Sequence, residues 1–170
     1  MHDNGIIHCD IKPQNFLIFQ STEEDNAELN DSFMDEDAID KIKLTDFGLA
    51  HFINEKTNKA YMKYRAGTME YKAPEVKNVK KNINFKDTYV DKSIDIWSFG
   101  ITLYKMAVAY FPTAYNRYQY GSGPIPFRKT DWKDFEGREL IQDLISKCVV
   151  MEPSGRISVE EALDHPWFKI

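Results

Sequence analysis

Two short apolar runs lie near the start of the chain. Phe16–Phe19 and Ile42–Thr45 are rich in β-branched and aromatic residues and predict two strands of a small hairpin. Further on the period becomes helical. Ile94, Trp97, Ile101, Tyr104 and Val108 recur three or four residues apart and predict one long apolar helix, with Pro112 helping to stop it. Leu140, Ile141, Leu144, Ile145, Cys148 and Val149 fall on one face of a second helix. Ser158 opens a last short helix, Glu161 completes a capping box three residues on, and Pro166 ends it. From about Leu49 to Val90 no period holds, and the segment is rich in Lys, Asn and Tyr; "YGSGPIP" at 120–126 reads as loop. The pattern predicts a mainly α fold: a small hairpin first, a helical body second, and no internal repeat.

Composition adds bounds. With 170 residues, 42% of them hydrophobic, the chain is long enough for one domain with its own core. Net charge is −5, and no basic field points to nucleic acid. The charge is unevenly placed. Residues 20–41, "QSTEEDNAELNDSFMDEDAIDK", hold nine acids and one Lys and carry −8, leaving +3 on the rest. Such a segment buries too little apolar surface to offset its ordering entropy, and reads as a mobile acidic loop at the hairpin tip. It is either a solvated insertion with no task, or a partner-binding or autoinhibitory segment. Cys9 and Cys148 have no metal or redox spacing, which fits a reducing compartment. Met1–Ile7 lacks the basic start and long apolar run of a secretory signal. The most apolar window, Ile94–Phe111, carries Asp95 and Lys105, so a buried helix is expected there rather than a membrane span. The expected compartment is the cytoplasm.

The candidate chemistry crowds into "IIHCDIKPQNFLIF" at residues 6–19. Asp10 and Asn15 are five apart, and "TDFG" follows the second predicted strand at 45–48. An amide and carboxylates so placed can hold a hard cation such as Mg²⁺ through oxygen, with phosphate oxygens and water completing its shell. Lys12 supplies a point charge for a transferring phosphoryl group, and Asp10 an acceptor for a hydroxyl proton. Each residue alone reads as an ordinary turn or cap; the ordered set does not.

The set resembles the catalytic half of a eukaryotic protein kinase of the Ser/Thr type. "HCDIKPQN" is similar to the catalytic loop H-R-D-x-K-x-x-N, "DFG" to the metal-binding turn, and "APE" to the end of the activation segment. "DIWSFG" resembles the start of the family's central helix, and "EPSGRISVEEALDHPWF" its closing helices. The resemblance spans nearly the whole chain, with the activation segment at 46–75. It implies a kinase C-terminal lobe whose small hairpin carries the catalytic loop and the DFG turn. It also implies ATP and Mg²⁺ as cofactors and protein Ser/Thr hydroxyls as substrates. By matching position, Asp10 orients and deprotonates the substrate hydroxyl and Lys12 contacts the γ-phosphate. Asn15 and Asp46 hold Mg²⁺, and His8 braces the loop. Asp95 accepts hydrogen bonds from the loop backbone, and Thr68 bonds to Asp10. Glu75 and Arg156 form a buried ion pair that fastens the activation segment. Phe47, Trp97, Trp167 and Phe168 are core.

The chain also departs from the pattern. The Gly-rich loop, the strand Lys with its helix Glu, and the hinge do not occur in these residues, and "MHDNGIIH" resembles the last turn and exit of the helix that precedes the catalytic loop. The expectation is a fragment with an internal Met1, exposed apolar surface and no turnover unaided. Cys9 stands where regulated members carry an Arg that binds an activation-loop phosphate, and His51 stands where a second cation is common. A phosphate on Thr57, Tyr61 or Tyr64 is therefore expected to lack a bidentate partner. Gln14 and Lys105 occupy places that hold Glu in Arg-directed members, so no strong preference for Arg upstream of the target is expected. Three readings compete with the Ser/Thr kinase: a pseudokinase or scaffold that binds partners without catalysis, a small-molecule kinase of the same fold, and a catalytic thiol at Cys9. The Ser/Thr kinase is favoured over the scaffold because Asp10, Lys12, Asn15 and Asp46 are all present, over the small-molecule kinase because "GTMEYKAPE" at 67–75 resembles a protein-substrate platform, and over the thiol because "HCD" lies in a segment already explained as catalytic loop.

Overall fold

The computed structural model describes residues 1–19, 41–62, 67–77, 89–112, 123–133 and 135–169. Two units make it up, Met1–Lys12 with Phe47–Ile170, and Pro13–Asp46. Among the described residues the strands are β1 (Ile6–Ile7), β2 (Phe16–Phe19), β3 (Lys41–Leu44), β4 (His51–Phe52), β5 (Ala60–Tyr61) and β6 (Tyr89–Val90). The α-helices are α1 (Pro74–Lys77), α2 (Ser93–Val108), α3 (Lys129–Trp132), α4 (Arg138–Cys148) and α5 (Val159–Leu163). The chain is thus helix-rich with a few small antiparallel sheets, as the periodicity predicts.

The smaller unit is the β2–β3 hairpin, paired Phe16↔Leu44, Leu17↔Lys43, Ile18↔Ile42 and Phe19↔Lys41. Side chains alternate along a strand, so Phe16, Ile18, Ile42 and Leu44 share one face. Ile18 and Ile42, directly opposite each other, are 67% and 65% exposed. The second strand lies one residue earlier than expected. Lys41 opens it, and Thr45 leaves the ladder to donate its N–H to Asn15 O at 2.8 Å. The acidic stretch 20–40 lies outside the described residues.

The larger unit is built around α2. Its periodic residues Ile94, Trp97, Ile101 and Tyr104 are buried, the last three completely. Each such side chain contributes roughly 1.5–3 kcal/mol by leaving water. α4 packs across α2 with Ile141, Leu144, Ile145 and Cys148 buried, the face read from the sequence. Gly100 permits that crossing: a Cβ there would stand 2.6 Å from Cys148 Cβ and 2.7 Å from Val149 Cγ2. Beyond it Tyr104, Phe127, Trp132, Phe135 and Trp167 form a chain of ring contacts with centroids 5.4–6.1 Å apart. His165, also buried, accepts the Trp167 N–H at Nδ1 (3.2 Å), so its other nitrogen donates to Asp143 Oδ2 at 2.9 Å.

Both helix-ending prolines act differently from expectation. α2 stops at Val108 because Ala109 takes the left-handed conformation, φ 62°, and donates its N–H to Lys105 O; Pro112 comes three residues after that cap. α5 ends at Leu163, and Pro166 opens a 3-10 turn, Pro166–Lys169, instead of closing the helix. The capping box is present as read: Glu161 N–H donates to Ser158 Oγ (3.1 Å) and Ser158 N–H to Glu161 Oε2 (2.8 Å). The region 49–90, expected to be irregular, contains β4, β5, β6 and α1. β4 pairs with β1 (Ile6↔Phe52, Ile7↔His51), and β5 with β6 (Ala60↔Val90, Tyr61↔Tyr89). Ladders of two residues are too short to carry a period of two, which is why the sequence pattern is silent there.

Candidate active site

Ile7, fully buried, fixes the end of β1, and the polar run follows at once. His8 is also fully buried; its ring meets Phe47 edge-on at 4.9 Å, and its Nδ1 accepts the Asp10 N–H at 3.3 Å. Cys9 has φ 68°, a conformation uncommon for a residue with a side chain. Asp95, in the first turn of α2 and 1% exposed, holds this bend. Its Oδ2 accepts from His8 N–H at 2.8 Å and its Oδ1 from Cys9 N–H at 2.9 Å. The Oδ2 atom also meets His2 Nε2 at 2.9 Å.

Asp10 is buried, and both its oxygens are engaged. Lys12 Nζ donates to Oδ2 at 2.6 Å and to Thr68 Oγ1 at 2.8 Å, while Thr68 N–H donates to Oδ1 at 2.6 Å. Burial alone would raise this carboxyl's pKa, but the Lys12 and Thr68 hydrogen bonds more than offset it and hold Asp10 below the usual aspartate value. It is therefore an ionised acceptor at neutral pH. Thr68 reaches it because residue 67 is glycine, at φ 89°; a Cβ there would stand 2.2 Å from Cys9 O. Gly67 is a positioning element that the motifs did not single out. Its cue was its place immediately before Thr68.

The Arg156 guanidinium bonds Glu75 through two contacts, 2.6 and 2.8 Å, and lies 5.0 Å over the Trp97 ring. The pair is buried on one side only: the Arg156 side chain is fully covered, while Glu75 is 27% exposed. Cys9 Sγ lies 3.7 Å from His51 Nδ1, and His51 Nδ1 lies 2.8 Å from Leu49 O. Desolvation, reinforced by the charges of Asp95 and Asp10, pushes the Cys9 thiol up to about 12. That is the reverse of what a nucleophilic thiol needs. Of the three candidate modification positions, Thr57 sits in an exposed turn closed on Asn54, Tyr61 lies in β5 edge-on to Tyr89, and Tyr64 is outside the described residues. Gln14 is exposed, and Lys105 is half-buried with its ammonium 5.2 Å over the Phe111 ring and bonded to Ala109 O.

Asn15 and Asp46 belong to the hairpin unit. The Phe16↔Leu44 pair and the two hydrogen bonds from Thr45 to Asn15 O, at 2.8 and 3.2 Å, bring both to its open end. Asn15 is 5% exposed, and Asp46 is exposed at φ 62°. One amide and one carboxylate are an all-oxygen donor set that suits Mg²⁺, which takes few protein ligands and fills its shell with phosphate and water. Among the described residues no three His, Cys, Asp or Glu side chains cluster as a self-sufficient metal cage, and a shared phosphate-bound cation needs none. Nor is any described helix long and apolar enough to cross a membrane.

Known proteins are similar to this chain over nearly its whole length. The family described as "Protein kinase domain" matches residues 1–168. The probable serine/threonine-protein kinase fhkB of Dictyostelium discoideum is 33% identical over 99% of this chain and 13% of its own length. The DNA damage response protein kinase DUN1 of Saccharomyces cerevisiae is 33% identical, and the serine/threonine-protein kinase cds1 of Schizosaccharomyces pombe 35%. Each match covers 99% of this chain and 32% of the relative. The chain spans between about one-eighth and one-third of the length of these relatives. A family match from the first residue to the last two, together with relatives at this identity across the whole chain, establishes that the chain belongs to the protein kinase domain family.

Proposed function

We propose that the protein transfers the γ-phosphoryl group of ATP to Ser or Thr hydroxyls of protein substrates. The observation that carries this reading is the Asp10–Lys12–Thr68 cluster, a buried carboxylate kept ionised by one ammonium and one backbone amide. In the transfer, the incoming hydroxyl displaces one of the bonds to Asp10 and donates its proton toward the freed oxygen. Lys12, whose ammonium has three donors, turns one of them to the transferring oxygens while still bridging to Thr68. Asn15 and Asp46 would hold Mg²⁺, which would supply neutralisation of phosphate charge. Asp95 and His8 keep the loop bent so that Asp10 stands where the hydroxyl arrives. The Glu75–Arg156 pair fastens segment 46–75, on which Thr68 rides. Lys12 and the stretch Gly67–Glu75 support Ser/Thr over Tyr hydroxyls.

Two variants of the full-length protein test this. Asp10→Asn keeps the shape and removes the acceptor charge, so nucleotide binding is expected to persist while transfer falls by about 10²-fold or more. Asp46→Asn is expected to cost at least as much with Mg²⁺ present. Parallel loss of binding and transfer in Asp10→Asn makes Asp10 structural. Nucleotide binding with no transfer by the wild type refutes the reading in favour of a non-catalytic binding module.

A further inference from the structure

Lysine is seldom buried in a folded chain, yet Lys72 is only 7% exposed. It follows the turn in which Tyr71 N–H donates to Thr68 O at 3.1 Å, and it comes just before α1. Its stem runs back across Gly67. Lys72 Cε lies 3.4 Å from the point that a Cβ of Gly67 would occupy, and the next residue, Thr68, donates its N–H to Asp10 Oδ1. The ammonium is one bond beyond Cε. Covalent geometry therefore keeps it within about 11 Å of Asp10 Oδ1, the reach of about three residues of extended chain. The bonds that keep Asp10 ionised come from Lys12 and Thr68, so the transfer itself makes no use of the Lys72 charge.

We infer that Lys72 is a specificity-determining residue: its ammonium selects protein substrates that carry an Asp or Glu within three residues of the acceptor Ser or Thr. The inference rests on the transfer reading above. A substrate hydroxyl must come to Asp10, so the residues beside it pass within reach of Lys72. In surroundings as covered as these an opposite charge counts for more than at an open surface. A substrate carboxylate gains a charge-assisted bond there, and a substrate Lys or Arg meets like charge. Attraction of one class and repulsion of the other act together in discrimination. A lysine that served only to cover Gly67 would do so through its methylenes, and an uncharged side chain of the same length would replace it. That difference separates selection from packing.

Paired peptides test it on the full-length protein. The two members of a pair share one acceptor Ser and differ at a single neighbour, Asp in one and Asn in the other. The neighbour is moved through the three positions on either side of the Ser. For the wild type, kcat/KM for the Asp peptide is expected to exceed that for the Asn peptide about tenfold or more at one of these positions. Lys at that position is expected to make the poorest substrate. In Lys72→Met, which keeps the stem and removes the charge, the Asp-over-Asn ratio is expected to fall to about one. Each ratio is taken within one protein, so a general loss of rate in the variant drops out of it. If Lys72→Met transfers too little to measure, the ratio is read from Lys72→Gln, or from binding of the same peptides with nucleotide present. A wild type with no preference for Asp at any position overturns the inference. So does a preference that survives in Lys72→Met, because another group then reads the acid. Transfer to neither peptide by the wild type strikes the functional reading instead, and the ratio of peptide binding in the two proteins still decides what Lys72 selects.

Discussion

Asp10 has a lowered pKa even though burial pushes the other way, and this identifies its partners as the controlling influence. Its carboxylate should titrate, in carbon-detected NMR, below the ordinary aspartate value of about 3.9. Removing the ammonium in Lys12→Met should raise the midpoint, since desolvation then stands less opposed. A midpoint that stays put in Lys12→Met would show that Thr68 alone sets it. Because the folded value is depressed, the linked stability is fully present above the unfolded value and is lost as pH falls through the folded one. Gly67 makes the second prediction at this scale. An added Cβ meets the Cys9 carbonyl, a backbone atom that cannot swing aside. Gly67→Ala should pull Thr68 from Asp10 and cut kcat on the order of 10²-fold while nucleotide affinity holds; equal kcat in the two proteins would sink this. Asp10 and Lys12 were singled out in the sequence because their residue types and spacing carry the chemistry, whereas Thr68 and Asp95 were singled out only by the resemblance of their motifs. Gly67 gave only a weak cue, its place before Thr68, since what singles it out is a close approach across the fold.

At the scale of elements, the crossing of α2 over α4 sets two effects against each other. Glycine inside a helix costs about 1 kcal/mol relative to alanine, so Gly100→Ala gains that much from propensity. The new methyl, however, stands 2.6 Å from Cys148 Cβ, and overpacking a tight contact costs about 1–3 kcal/mol. The clash should win, with a lower denaturation midpoint and an unchanged m value; a higher midpoint would mean that the helices part freely. The long helices, the hairpin and the capping box were legible because each repeats its period or cap rule over several residues. The β1–β4 and β5–β6 ladders were not, since two residues carry no period and their partners lie far along the chain. The misplaced stops at Pro112 and Pro166 have the same root. Proline forbids continuation, but a left-handed Ala109 and the cap at Asp164 end the helices earlier.

At the scale of the whole molecule, residues 47–62 are docked on the helical body by side-chain burial and backbone pairing. Ala60 and Met62 are 1% and 2% exposed, Ile53 N–H donates to Gly5 O at 2.8 Å, and two ladders tie the segment to β1 and β6. Beside it Cys9 presents a thiol held protonated, which offers no charge to a phosphate. Phosphatase treatment of the full-length protein should therefore change activity less than about twofold. A large loss, restored by rephosphorylating Thr57 or Tyr61, would show a dependence these contacts do not provide.

The grip of Asp95 on the catalytic loop also has a consequence in time. The hydrogen bonds that bend the loop join residues 86 and 87 positions apart, so the loop emerges from the ribosome long before the carboxylate that shapes it. At typical synthesis rates that interval is on the order of ten seconds. Through it the His8 and Cys9 amides lack their partner on α2. The bend at Cys9 is thus set well after its own residues are made, and a pause in translation between the loop and α2 would lengthen the period in which the apolar strands β2 and β3 are open to wrong partners.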